Sequence, residues 1–262
     1  FKPFVVAWAL ARGAVHPEER IWCEDGRYRV AGKTIRDVHS HGWLTVREVI
    51  KYSSNIGACK IGMRLGKGLL RGVRAFGFGS RTGIDLPGES PGRVPRRVGP
   101  VELATICYGQ GISVTAIQLV RALCAIANGG LLMRPYVVSA VGRAGRWQEA
   151  AGPHVVRRVI PRWVARLVTS FLEEVVEEGG TGRRAHLEGC RVAGKTGTAQ
   201  RPWRGAYRGY VSSFMGFLPA QRPRLAILVV IDDPRAGSYY GGETAAPVFR
   251  EIARWFLKHR LP

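Results

Sequence analysis

A glycine-rich stretch in the last third of the chain restricts the choice of fold more than any other feature. Gly189 and Gly194-Lys195-Thr196 complete the pattern Gly-x-x-x-x-Gly-Lys-Thr, which in nucleotide-binding enzymes wraps phosphate groups between a buried strand and a helix. The following residues do not favour a helix, since Gly197 and Pro202 both oppose helix propagation. A strand-like run ending in Asp232-Asp233 is the one feature that favours the phosphate loop, which we keep as the alternative hypothesis.

Composition indicates a globular protein with an unusually basic surface. The chain has 262 residues, of which 46% are hydrophobic and 23% charged, and its formal net charge is +21. Such a charge raises the question of nucleic-acid binding. The arginines are, however, spread along the chain without a block of like charges, and no nucleic-acid motif accompanies them. We therefore expect no nucleic-acid partner, and note that anionic lipids or wall polymers also suit a basic surface.

Neither the cysteines nor the histidines predict a metal or cofactor site. The five cysteines are scattered without close pairs, and their odd number argues against a complete disulfide framework. We expect them to be small buried apolar side chains. The six histidines show no ligand spacing, so no metal or cofactor is expected. No apolar run approaches the roughly 18 to 20 residues that span a bilayer.

The order of predicted elements is typical of an α+β fold. Periodicity and capping signals predict strands at 211–218 and 225–231, joined by a short turn that favours an antiparallel hairpin. Helices are predicted at 1–12, from the capping box Thr45-Val46-Arg47-Glu48 onward, and at 115–128, 163–178 and 245–258. Helices thus dominate a first part at about 43–180, and a sheet with a closing helix forms a second at about 190–260.

Two short motifs and part of a third occur in an order that serine acyltransferases share. Lys195-Thr196-Gly197 is one such signature, and Ser53-Ser54-Asn55, a Ser-x-Asn at the end of a capped helix, is another. The third, Ser-x-x-Lys, is absent as a whole, because no lysine has a serine three positions earlier. Lys2 begins an apolar helix within Phe1-Lys2-Pro3-Phe4, and its serine would lie two residues upstream of Phe1.

These motifs resemble those of the class B penicillin-binding proteins, the monofunctional peptidoglycan transpeptidases. The resemblance covers essentially the whole chain, and its last segments look most like the septal-division and spore-cortex branch of the family. The segments that carry it are 1–4, 44–55, 83–89, 109–111 with Gln118, 193–200, 213–219, 239–242 and 245–249. It implies the penicillin-binding, serine β-lactamase-like transpeptidase fold, an antiparallel sheet flanked by helices with a helical subdomain. It also implies that the chain, 1–262, is a transpeptidase domain incomplete at its N-terminus, with two strands of the sheet upstream.

The resemblance assigns catalytic roles to three residues. Lys2 would be the general base for the upstream serine, provided that burial and nearby positive charge lower its pKa. Ser53 would relay a proton between Lys2 and the leaving amine, and Asn55 would hold the peptide amide of the substrate. Without its nucleophile, the chain is not expected to form an acyl-enzyme.

The resemblance also implies a substrate-binding strand. Lys195 would supply positive potential for the terminal carboxylate of the substrate, and the hydroxyls of Thr196 and Thr198 would donate hydrogen bonds to it. Gly197 would let the strand backbone approach the ligand, since it has no side chain. The N–H of Thr198 would be one donor of the oxyanion hole, a group of donors worth about 3 kcal/mol each.

Substrate, partners and location are likewise expectations from the resemblance. The substrate would be the D-Ala-D-Ala stem peptide of peptidoglycan, β-lactams would bind in its place, and cell-wall synthesis or division proteins are possible partners. An N-terminal anchor upstream would hold the domain at the bacterial cell membrane, on its extracytoplasmic side. The alternatives are a β-lactamase or β-lactam sensor of the same fold, a non-catalytic binding module, and the phosphate-loop enzyme.

Overall fold

A computed structural model describes residues 1–143, 146–203, 206–235 and 237–260. The described helices are α1 (Lys2–Ala11), α2 (Val46–Lys51), α3 (Asn55–Met63), α4 (Gly68–Ala75), α5 (Pro100–Ile106), α6 (Ala116–Ala127), α7 (Arg162–Glu174) and α8 (Gly241–Arg260). The described strands are β1 (Arg20–Trp22), β2 (Arg27–Val30), β3 (Lys33–Arg36), β4 (Trp43–Thr45), β5 (Leu131–Arg134), β6 (Ala140–Arg143), β7 (Arg146–Glu149), β8 (His154–Arg158), β9 (Ala193–Trp203), β10 (Ala206–Leu218) and β11 (Leu225–Asp232).

The largest sheet of the described residues has the order β11-β10-β9, with both pairs antiparallel. The hairpin predicted from the short turn is therefore confirmed. Lys195 lies inside β9, opposite Met215 of β10, and does not precede a helix. The phosphate-loop hypothesis is wrong for this reason: no helix N-terminus follows Thr196 to receive a phosphate.

Helix α1 is the centre of the helical region. Every residue from Pro3 to Leu10 is buried, as expected for a helix that is apolar on all sides. It packs against α3, α4 and α7, and its Trp8 indole donates to the carbonyl of Gly68 at 3.0 Å. Gly72 permits this packing, because a Cβ at that position would lie 2.4 Å from the Trp8 ring. The N-terminus of α1, with Lys2, is thereby held in one place.

Several predicted boundaries differ from the structure. Helix α8 begins at Gly241, four residues earlier than predicted, and α7 ends at Glu174, four residues earlier than predicted, with Glu173 and Glu174 still opposing the helix dipole in its last turn. The short strands β5 to β8 lie within the part predicted to be helical, and β1 to β3 lie in a segment that gave no regular pattern. Strands of three to five residues are too short for periodicity to reveal.

None of the helices in the described ranges combines the length and apolar character needed to cross a bilayer.

Candidate active site

The structure brings Lys2 and Ser53 together, although 51 positions separate them in sequence. The Lys2 Nζ atom donates a hydrogen bond of 3.0 Å to the Ser53 hydroxyl. Lys2 occupies the first turn of α1, and the aromatic rings of Phe1, Phe4 and Phe78 pack against one another around this turn. The ammonium group is therefore held at the edge of the apolar core.

A tight turn between α2 and α3 presents the Ser53 hydroxyl. Helix α2 begins with the predicted capping box, in which the Thr45 hydroxyl accepts from Glu48 N–H and the Glu48 carboxylate accepts from Thr45 N–H. Ser54 caps α3, accepting a hydrogen bond of 2.8 Å from Gly57 N–H. Between them Ser53 has φ = +60°, a left-handed conformation that costs a non-glycine residue about 1 kcal/mol or more. Ser54, the cap of α3 that directly follows Ser53, helps to hold it in this conformation.

Asp37, which sequence reasoning missed, anchors this turn from outside. Its carboxylate accepts hydrogen bonds from Ser54 Oγ at 2.5 Å, from Ile56 N–H at 3.1 Å and from Asn55 N–H. An anion at the first turn of α3 also compensates the helix dipole. The Asn55 side-chain amide donates to the carbonyl of Arg36 at 2.9 Å. No sequence signal marked Asp37, since it follows a short strand in a segment without periodicity.

Lys195 lies almost completely buried beside the same site, with 2% of its surface exposed. Its Nζ atom donates to the Thr196 carbonyl at 3.2 Å and to the Thr196 hydroxyl at 3.1 Å. Burial, and secondly the positive charge of Lys2, hold the pKa of Lys195 well below its usual value. The two lysines therefore lie close enough to interact electrostatically.

Burial lowers the pKa of Lys2 as well, to about 8, and the nearby Asp37 carboxylate partly offsets this effect. A lysine with such a pKa is neutral in about one molecule in ten at pH 7, whereas an ordinary lysine is almost never neutral there. The neutral amine can accept a proton, so Lys2 fits the requirement for a general base.

Thr181 connects the Ser53 turn to strand β9 and was also missed by sequence reasoning. Its hydroxyl lies 3.0 Å from the Thr196 hydroxyl and donates to the carbonyl of Lys51 at 3.4 Å. A chain of polar groups thus runs from the end of α2 through Thr181 and Thr196 to Lys195. The only signal was its position after Gly179-Gly180, which marks a turn but gives no indication of a partner.

The central residues of β9 are held against β10 and α8. A Cβ at Gly197 would lie 2.4 Å from the Ser213 hydroxyl, so glycine is needed here for packing as well as for an open strand edge. The Thr198 hydroxyl accepts a hydrogen bond of 3.2 Å from Gly241 N–H at the start of α8. Strand β9 is an edge of the sheet among the described residues, so backbone groups at its outer side can bind a ligand.

Of the seven residues predicted from the sequence, the structure links Lys2 to Ser53 and Lys195 to Thr196 by hydrogen bonds, and places Gly197 and Thr198 on the same strand. Asn55 begins α3 two residues after Ser53, and its side chain donates a hydrogen bond to Arg36 at the end of β3. Within the described ranges no group of three His, Cys, Asp or Glu side chains could hold a metal ion.

Known proteins are similar to this chain over nearly its whole length. The family model "Penicillin binding protein transpeptidase domain" matches residues 1–254. The chain belongs to this family. Stage V sporulation protein D of Bacillus subtilis is 40% identical over 97% of the chain and 41% of its own length, and peptidoglycan D,D-transpeptidase FtsI of Escherichia coli is 37% identical over 98% of the chain and 42% of its own length. The chain thus spans about two fifths of the length of these relatives.

Solved structures of the family have the same fold. The apo TP domain of Burkholderia pseudomallei penicillin-binding protein 3 is 35% identical with a TM-score of 0.89, covering all of this chain and 78% of that one. Penicillin-binding protein 3 of Mycobacterium tuberculosis, complexed with aztreonam, is 33% identical with a TM-score of 0.90, covering all of this chain and 62% of that one. The α+β transpeptidase fold expected from the sequence is therefore confirmed.

Proposed function

We propose that the chain is the catalytic domain of a peptidoglycan D,D-transpeptidase, which cross-links stem peptides through a serine acyl-enzyme. The observation that carries this proposal is the hydrogen bond of 3.0 Å between Lys2 Nζ and Ser53 Oγ, made by a lysine whose pKa is lowered to about 8. The nucleophile is the serine of a Ser-x-x-Lys motif two residues upstream of Phe1, which makes the domain N-terminally incomplete. One helical turn from Lys2, this serine would face its amine.

Proton transfer is assigned to Lys2 and Ser53. The neutral amine of Lys2 takes the proton of the upstream serine as that serine attacks the carbonyl of the D-Ala-D-Ala peptide. Ser53, already within hydrogen-bond distance of Lys2, carries the proton to the leaving amine. Asn55, two residues after Ser53 at the start of α3, holds the peptide amide of the substrate with its side chain. The D-alanine leaves, and the amine of a neighbouring chain then takes the acyl group.

Substrate binding is assigned to β9. The charge of Lys195 and the hydroxyls of Thr196 and Thr198 receive the terminal carboxylate, and Thr198 N–H contributes one oxyanion donor. Burial disfavours the charged form of Lys195, so a substrate carboxylate beside it would raise its pKa again and form an ion pair that water hardly screens. Gly197 keeps the strand edge free of a side chain. The hydrogen bond between the Thr181 and Thr196 hydroxyls positions the Thr196 hydroxyl.

The relatives suggest the biological setting. One relative is named as a sporulation protein and another as a peptidoglycan D,D-transpeptidase, and solved structures of relatives are complexes with aztreonam or ampicillin. We infer that β-lactams bind this site as substrate analogues, and that the domain acts outside the cytoplasmic membrane on an anchor upstream of Phe1, in contact with cell-wall synthesis or division proteins. No described contact favours a β-lactamase, a sensor or a nucleotide-binding enzyme over this function.

Labelling with a fluorescent penicillin tests the proposal. The chain alone should form no covalent adduct, whereas the longer protein that includes Ser-x-x-Lys should be labelled at that serine. In the longer protein Lys2→Met should abolish labelling, and Ser53→Ala should slow it by roughly 10²-fold, in the range of a lost proton-transfer group. The matched control Lys258→Met changes an exposed lysine of α8 and should leave labelling unchanged.

Two results would contradict the proposal. One is a covalent adduct on the chain without the upstream serine, since another nucleophile would then be at work. The other is a folded longer protein that penicillin does not label. Titration with ATP is the corresponding check on the rejected nucleotide hypothesis, which would need micromolar affinity.

A further inference from the structure

A cavity lined by arginines lies where helices α6 and α7 meet the turn between β10 and β11. Its volume is about 890 Å³, within the range of sites that hold small ligands. Part of its lining is apolar and buried, including Ile126 of α6, Ala165 of α7 and Phe217 of β10. Among the described residues that line it, none is assigned above to acyl transfer or substrate binding. The cavity is therefore separate from the proposed active site.

The cavity has a large excess of positive charge. Among the described residues, its lining includes one carboxylate, that of Glu173, and six arginines: Arg158, Arg162, Arg166, Arg191, Arg222 and Arg224. The Glu173 carboxylate already has a partner, since Arg191 donates a hydrogen bond of 2.6 Å to it. Within the described ranges the other five arginines form no ion pair. Five guanidinium charges around the cavity are therefore not balanced by a carboxylate.

Two of these arginines lie where they oppose the stability of their own helix. Arg162 begins α7 and Arg166 follows four positions later, and the first turn of α7 contains no acidic residue. Like charges four positions apart repel on a helix, and a cation at the N-terminus is unfavourable for the helix dipole. Neither feature helps α7 to fold. An anion bound in the cavity would offset both.

The turn between β10 and β11 contributes Arg222 and Arg224. Its backbone is held by hydrogen bonds from Arg222 N–H to the Pro219 carbonyl at 3.2 Å and from Arg224 N–H to the Leu218 carbonyl at 3.0 Å. The two side chains are exposed and line the cavity. Guanidinium groups from α7 and from this turn thus surround one cavity.

We propose that this cavity is a binding site for a ligand with several phosphate groups, held by Arg162 and Arg166 of α7 and by Arg222 and Arg224 of the turn. The planar guanidinium group matches phosphate with paired hydrogen bonds. A phosphate group has more acceptor oxygens than a carboxylate, so it can accept from arginines of both elements at once. The same chemistry has two sources, a soluble oligophosphate and the headgroup of an anionic lipid.

Calorimetric titration with inorganic tripolyphosphate tests the proposal. The longer protein with the upstream serine is used, so that any segment able to fill the cavity is present. In about 0.15 M salt, which largely screens charges more than about 8 Å apart, the protein should show a single saturable site. The double variant Arg162→Gln, Arg166→Gln should bind at least about tenfold more weakly, and so should Arg222→Gln, Arg224→Gln, since each loses charge-assisted hydrogen bonds.

A matched control separates the cavity from the net charge of the chain. The double variant Arg96→Gln, Arg97→Gln removes the same charge from exposed positions outside the cavity and should change the affinity by less than about twofold. Tripolyphosphate should raise the melting temperature of the wild type and of this control, but not that of either cavity variant. Because the two cavity variants change different elements, failure of one to fold leaves the other as the test.

Two results would overturn the proposal. One is the absence of saturable tripolyphosphate binding to the folded protein. The other is an equal loss of affinity in the control and in the cavity variants, which would mean that net charge alone attracts the anion. Sedimentation with phosphatidylglycerol vesicles, against phosphatidylcholine vesicles, identifies the source. Vesicle binding that the cavity variants lose would indicate a lipid headgroup, and tripolyphosphate binding without vesicle binding would indicate a soluble ligand.

Discussion

Replacing Lys2 by methionine should stabilise the folded chain at neutral pH. Burial lowers the pKa of Lys2 from 10.5 to about 8, which means that the native structure destabilises the charged form of this side chain. At pH 7 the lysine is mostly protonated in both the folded and the unfolded state, so the native state bears this cost. Methionine has a similar length and no charge to desolvate. The chain would thus gain stability by losing its proposed general base.

The size of the gain follows from the pKa difference and one hydrogen bond. A change from 10.5 to about 8 corresponds to about 3 kcal/mol of unfavourable free energy at pH 7. Loss of the bond from Lys2 to Ser53 costs about 1 kcal/mol, which leaves a net gain of about 2 kcal/mol. For a chain of 262 residues, a net gain of about 2 kcal/mol raises the melting temperature by about 4 to 8 °C.

The dependence on pH distinguishes this cause from better packing. Between pH 8 and 10.5 the unfolded chain binds a proton that the folded chain does not, so the stability of the wild type rises with pH in this window. The advantage of Lys2→Met should therefore shrink above pH 8 and be close to zero near pH 10. Urea unfolding of both chains at pH 7 and pH 10 measures the difference, with Lys258→Met as an exposed control. An equal gain at both pH values, or none at pH 7, would refute the reasoning.

Three further substitutions test the surroundings of the site. Asp37→Asn keeps the shape of the side chain but removes its charge, so the pKa of Lys2 should fall below about 8. A lysine ¹³Cε NMR titration measures this pKa, and an unchanged value would contradict the prediction. The free energy of unfolding should also fall by about 1 to 2 kcal/mol. Thr181→Val removes the hydroxyl between α2 and β9, and should slow acylation by β-lactam in the serine-containing protein by about tenfold while lowering stability by under 1 kcal/mol. Gly72→Ala would bring a methyl group within 2.4 Å of the Trp8 ring and should lower the free energy of unfolding by about 2 kcal/mol, measured in urea; a neutral result would show that α1 can shift.

The sequence was sufficient for the parts of the fold and site that depend on local signals. The capping box at Thr45, the hairpin of β10 and β11, and the placement of Ser53 in a turn are each determined by a few adjacent residues. Asp37 and Thr181 could not be found in this way. Each acts on residues distant in sequence, through contacts that exist only after the helical region has packed.

The turn at Ser53 explains why the missed carboxylate matters as much as the residues with assigned roles. A serine at φ = +60° is unfavourable in isolation, so its conformation depends on the helices on either side. Asp37 fixes the first turn of α3 through Ser54 and Ile56, and its charge also keeps the pKa of Lys2 from falling further. One carboxylate thereby sets both where the Ser53 hydroxyl lies and how readily Lys2 gives up its proton. Geometry and basicity at this site are therefore coupled, and a change at Asp37 should alter both together.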